Sequence, residues 1–393
     1  MLSINNKSSS LLAVSTFFFM IGVMGTRPLV PILTGELGNS TFIIGAIVSL
    51  FPLLPFFLSI HAGVIISKVG SRIPLLFSAL FGAFSLSLPF LLVNVYGIVL
   101  SQIVAGVSYT FFIISAQSYI GKNSGSSKRD KNVMKFSMGM ALGAFVGPTI
   151  GGFIADYTAT SFAFLILSFL SLCAIYFTFF IQEENEKVDK SPVFEFNQAH
   201  ILTLFKIKNF RRAMLISTLI LTGKDTFTSF FPLLGLQMGM SSSAIGMIIS
   251  INALAGILIR WAMPFLLDKF SMNQVVTGSI FFSGILFFVL PFSEPTTIIW
   301  ILSFLLGLFL GLGQPLSISV TLYSLPKAYM SQGLGLRITV NRFVQITSPL
   351  LFGFIAQSLS IASLFYLTGF IYAFGAFRTT ISETEFEERA NKK

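Results

Sequence analysis

Hydrophobic positions in this chain fall into long unbroken runs, with neither the stripes of a soluble amphipathic helix nor strict alternation. Twelve runs are long enough to cross a bilayer, at about 11–33, 42–66, 73–93, 96–120, 134–155, 161–181, 213–236, 243–266, 274–292, 297–323, 334–356 and 361–377. A spanning helix needs about 20 mostly apolar residues, whereas a barrel strand needs about 9–11 that alternate. The runs therefore predict helices, and the expected fold class is an all-α membrane protein with twelve transmembrane helices. The first run continues through Arg27, Pro28 and Pro31 with no small-residue cleavage signal, so it reads as a span and not as a secretory leader.

Composition agrees. Of the 393 residues, 54% are hydrophobic and only 10% charged, against about 25% charged in a soluble chain. That deficit excludes a water-soluble enzyme or nucleic-acid-binding protein despite the net charge of +10. The basic residues instead report topology. Of 25 Lys and Arg residues, 20 lie on one set of alternating segments, none on the other, and five inside runs. Under the positive-inside rule both termini are cytoplasmic, in a multi-pass protein of the cell membrane. The single cysteine, Cys173, allows no internal disulfide and no cysteine metal site. No HExxH, nucleophile–His pair or phosphate-cradling loop is present, so neither an enzyme nor a cofactor or metal site is expected.

Sliding the chain against itself by 201 residues aligns its halves. Pro31 falls on Pro232, Ser40 on Ser241, Ile44–Gly45 on Ile245–Gly246, Lys68 on Lys269 and Gly106 on Gly307. Pro148 and Gly152–Ala155 fall on Pro349 and Gly353–Ala356. Six spans per repeat give both halves the same orientation, so they are parallel repeats about an axis along the membrane normal. The expected organisation is a six-helix bundle at 1–182, a charged cytoplasmic linker at 183–212, and a second bundle with a cytoplasmic tail at 213–393.

Several motifs resemble those of the major facilitator superfamily. Gly63 to Arg72, with Ser67, Lys68, Gly70 and Arg72, is similar to that family's G-x-L-a-D-R-x-G-R loop, with Ser67 where Asp is usual. The second half keeps Asp268 and Lys269 but loses the glycines. The fifth run reads Gly143-x3-Gly147-Pro148-x2-Gly151-Gly152, which resembles the motif of proton-coupled exporters in that superfamily. The fourth run carries Gln102 where exporters usually have arginine. The resemblance implies gating roles for Lys68, Arg72, Asp268, Lys269, Gly143, Gly147, Pro148, Gly151 and Gly152. In those exporters the fifth-helix glycines seal one side of the pathway against the eighth helix, while physics alone makes them a small-residue packing ladder.

Charges inside spans cost about 2.5–3.5 kcal/mol each near the helix centre, so each is a functional candidate. There are five bases, Arg27, Lys224, Arg260, Arg337 and Arg342, and one acid, Asp225. Arg337 stands one turn inside its run and is expected to snorkel to the surface. Arg27 and Lys224 lie one turn apart in repeat register, which points both toward a central cavity. Arg260 and Arg342, with the neutral donors Tyr109, Gln117 and Asn341, complete the expected substrate contacts. A cavity richer in cations than acids favours an anionic cargo and disfavours lipophilic cations. Asp225 leads as proton carrier, because burial raises and Lys224 lowers its affinity for a proton; His61 is second.

The expected function is proton-coupled export of a small anionic or zwitterionic metabolite, metallophore or drug by alternating access, by a monomer in the lipid bilayer. Organic-anion uptake and a lipid-headgroup flippase are the alternatives.

Overall fold

The computed structural model describes residues 2–123, 126–182, 204–293, 296–325 and 330–379; most of the 183–212 linker lies outside them. Helices fill almost all of the described chain, and no strand occurs among those residues. In order they are α1 (Leu2–Thr26), α2 (Leu29–Glu36), α3 (Thr41–Val69), α4 (Arg72–Leu91), α5 (Val95–Asn123), α6 (Ser126–Tyr157) and α7 (Thr160–Phe179). The second half follows with α8 (Lys208–Gln237), α9 (Ser242–Lys269), α10 (Met272–Val289), a 3-10 turn (Leu290–Phe292), α11 (Thr296–Ser324), α12 (Met330–Ser358) and α13 (Ile361–Arg378).

Each apolar run has become a helix, with one correction. The first run is not one helix: it breaks at Arg27 and Pro28 and resumes as α2. Proline has no N–H to donate and crowds the residue before it, so helix continuity fails there. The repeat-equivalent position in α8 is Ser229, and α8 runs on without interruption. Eleven spans among the described residues are long and apolar enough to cross a membrane, with α1 and α2 together forming the first. The remaining long helix, α8, carries Lys208, Arg211, Arg212, Lys224 and Asp225, which lower its hydropathy.

Contacts divide the chain into two compact units. One comprises Met1–Ser191 with Thr228–Ser250, the other Pro192–Phe227 with Ile251–Lys393. In the first, α1 packs on α6 and α7, α4 on α5 and α7, and α3 on α5. In the second, α10 packs on α13 and α11. Large apolar side chains such as Phe57, Phe77, Phe265 and Phe370 are exposed, as suits a surface solvated by lipid.

The repeat register survives at the level of atoms. A Cβ on Gly106 would strike the Phe51 carbonyl, and one on Gly307 would strike that of Asn252, which is Phe51 shifted by 201. Gly22 faces Leu86 and Ser171; Gly223 faces Phe287 and Tyr372, again in register. The turns agree as well. Gly38 (φ 78°) and Gly239 (φ 74°) close α2 and α8 in the left-handed conformation that glycine adopts without strain. Ser40 and Ser241 then cap α3 and α9, accepting from Ile43 N at 3.4 Å and Ala244 N at 3.2 Å.

Candidate functional site

In the first unit, the break after Thr26 places the Arg27 guanidinium 4.2 Å from the Phe51 ring centroid on α3. Phe51 in turn lies 5.6 Å from Tyr109 on α5. A cation over an aromatic face is electrostatically favourable, more so away from water. Thus two nominated residues, Arg27 and Tyr109, are joined through an aromatic ring that the sequence reading did not single out. Gln117 is exposed two turns further along α5, and Gln102 is buried on the same helix.

In the second unit, Lys224 is exposed and Asp225 half-buried at the middle of α8. Adjacent residues on a helix diverge by about 100°, and these two point different ways. The Tyr372 hydroxyl of α13 donates to the Leu219 carbonyl of α8. Gly223 makes room for that hydroxyl. Arg342 donates to Gln345 Oε1 at 3.1 Å along its own helix, and Arg260 is exposed on α9. Asn252 donates to the Ser303 carbonyl at 2.8 Å, tying α9 to α11.

The expectation for Arg337 fails. Its side chain is 7% exposed and lies inside the unit. Nη1 donates to Ser217 Oγ of α8 at 3.3 Å and to Ser317 Oγ of α11 at 3.2 Å. Ser217 donates to Asn341 Oδ1 at 2.8 Å, which draws a nominated substrate contact into the same cluster. One turn of depth along the helix suggested snorkelling, but α8 and α11 enclose that turn.

The gating residues are distributed unevenly. Gly143, Gly147 and Gly151 press on the α1 backbone at Phe17, Ile21 and Gly25, and Gly139 extends the row to Ala13. These three glycines therefore pack on α1, and the contact with the eighth span, α9, is made by other residues of the motif. Their neighbours Pro148 and Gly152 meet α9, at Gly246 and Ser242. Thr149 adds hydrogen bonds to Ser250 Oγ, 3.1 Å from its N–H and 2.8 Å from its hydroxyl. On the loop after α3, Arg72 donates to the Phe179 carbonyl at 2.7 Å, tying α4 to α7. Lys68, Asp268, Lys269 and His61 are exposed, and His61 Nδ1 lies 3.3 Å from the Phe57 carbonyl of its own helix.

The sequence reading missed Asp156. Its carboxylate accepts the N–H groups of Ser242 at 2.7 Å and Ser243 at 2.9 Å, and also the Ser243 hydroxyl. An acid in the last turn of α6 opposes that helix's own dipole, which was the available sign that its partner lay elsewhere. Here the partner is the first turn of α9, where free N–H groups and a positive helix end attract a carboxylate.

A cavity of about 500 Å³ opens between α3, α4 and α5, lined by apolar side chains such as Ile65, Phe77 and Phe111. None of the nominated charged residues lines it.

Comparison with known proteins follows the same lines. The family model described as Major Facilitator Superfamily matches residues 12–349. An uncharacterised MFS-type transporter of Methanocaldococcus jannaschii, MJ1560, is 23% identical over 357 residues, covering 90% of this chain and 92% of that protein. The multidrug resistance protein MdtG of Proteus mirabilis is 25% identical over 361 residues, covering 88% and 86%. A crystal structure of the nucleoside transporter NupG superposes with a TM-score of 0.80 at 16% identity, covering 95% of this chain and 98% of that one.

Proposed function

The chain belongs to the Major Facilitator Superfamily, and from that premise we propose that it exports a small anionic or zwitterionic molecule in exchange for protons. Membership makes it a transmembrane transporter; direction, cargo and coupling are the proposal. The name of the MdtG relative, a multidrug resistance protein, supports outward transport. The excess of cations over acids within the spans supports an anionic cargo.

The observation that carries the coupling is Asp225. It is the one acid that the sequence places at bilayer depth, half-buried at the centre of α8 beside an exposed Lys224. Protonation removes its charge from the helix, and release of the proton restores the attraction to neighbouring cations. An anionic group that takes over those cations weakens Asp225's hold on its neighbours and favours its protonation. Cargo and proton are thereby linked through a shared set of charges. The packing of α6 on the first turns of α9 through Pro148, Thr149, Gly152 and Asp156 supplies a contact able to break and re-form during alternating access.

A deletion strain tests this reading. It should accumulate one anionic compound, and re-expression of the chain, but not of Asp225→Asn, should restore efflux against a pH gradient. Hypersensitivity to lipophilic cations without accumulation of any anion overturns it. The apolar groove between α3, α4 and α5 favours a second reading, a flippase taking acyl chains there; altered leaflet lipid composition in the same strain identifies that case.

A further inference from the structure

We propose that Arg337, with Ser217, Ser317 and Asn341, forms a carboxylate-binding subsite between α8, α11 and α12. The proposal deepens the reading of an anionic cargo and rests on it only for the source of the carboxylate.

Arginine stays charged at every accessible pH, and a buried charge is costly unless it is paired. Arg337 is 7% exposed, yet its partners among the described residues are two neutral serine oxygens. Both hydroxyl protons are committed elsewhere. Ser217 donates to Asn341 Oδ1, and Ser317 donates to the Gln314 carbonyl at 2.9 Å. Each hydroxyl therefore turns a lone pair toward the guanidinium, which orients the cation without neutralising it. Both of its hydrogen bonds leave from Nη1, while Nε is buried with no partner. Nε is thus an unused buried donor, and the Nε–Nη2 fork to which it belongs matches the two oxygens of a carboxylate. Asn341 uses its Oδ1 on Ser217 and keeps its amide NH2 as a further donor.

Packing does not require this arginine. The positions 201 residues earlier are Phe136, Thr16, Ala116 and Met140, and there a buried phenyl ring and a fully buried alanine belong to the apolar core. A shared backbone framework holds a hydrocarbon in one half and a cation with an unused buried donor in the other.

The test is the thermal unfolding midpoint of the full chain in lipid nanodiscs, titrated with sodium acetate at constant ionic strength. Wild type should show a saturable rise. Arg337→Gln should lose it, and Arg337→Lys, which keeps the charge but not the fork, should weaken it roughly tenfold. Arg337→Phe introduces the residue found at the repeat-equivalent position, so it should yield a folded chain with no acetate response. Competition against acetate by the anion that accumulates in the deletion strain supports the cargo as the carboxylate's source; acetate binding without competition supports a separate small carboxylate. The same saturable response in wild type and in Arg337→Gln, or none in wild type, overturns the proposal. No gradient enters this measurement, so its failure leaves the efflux experiment standing.

Discussion

The two halves of this transporter share a backbone template and differ in what it holds. Position by position, Gly22, Leu86 and Ser171 become Gly223, Phe287 and Tyr372. Phe136 among apolar neighbours becomes Arg337 among Ser217, Ser317 and Asn341. Pro28, which breaks the first span, becomes Ser229 in an unbroken helix. Gly22 and Gly106 recur as Gly223 and Gly307 at close helix contacts, whereas the row Gly139, Gly143, Gly147 and Gly151 becomes Val340, Val344, Ser348 and Phe352. The polar groups change, because their work is not packing. One copy of the repeat thus acquires charge while the glycines at these two shared contacts persist.

The largest effect expected from breaking this comparison lies at the shared glycines. Gly106→Val and Gly307→Val each drive a side chain into a backbone carbonyl, of Phe51 and Asn252 respectively. Helices cannot part locally without losing their other contacts, so each should cost about 1–3 kcal/mol or more. Both should lower expression and the unfolding midpoint alike. A harmless substitution on one side would show that the halves pack by different rules.

Next come the cations at the first and seventh spans. Arg27→Gln and Lys224→Gln should each weaken binding of the proposed anionic cargo about ten- to hundredfold, with expression retained. The double variant should show coupling if both reach one ligand. Equilibrium binding to purified protein checks this, and unchanged affinity in both variants would return these side chains to the helix scaffold.

The smallest effect concerns the α6–α9 contact. Asp156→Ala removes acceptors for two backbone N–H groups and one hydroxyl at a helix start. The loss of such a cap is worth about 0.5–2 kcal/mol. A cysteine introduced as Ser243→Cys should therefore react with a membrane-impermeant maleimide up to about tenfold faster in the Asp156→Ala background. An unchanged rate would mean that Thr149 and Gly152 hold this contact by themselves.

Much of this architecture was legible along the chain. Spans are written in hydropathy because a bilayer demands about 20 apolar residues from each helix, whatever it packs against. The 201-residue repeat was legible because glycines, prolines and capping serines answer to backbone geometry, which both halves share. Only the tertiary structure decided where the charges sit. Depth along one helix made Arg337 look like a surface anchor, whereas α8 and α11 close over it. Spacing made Gly143, Gly147 and Gly151 one face, yet nothing in spacing says that this face meets α1 while Pro148 and Gly152 meet α9. Asp156 was an unremarkable acid at a helix end until the first turn of α9 supplied its donors. The division follows from the range of the forces. Hydropathy and backbone conformation act residue by residue along the chain, while hydrogen bonds and buried charges depend on atoms brought together from distant parts of it.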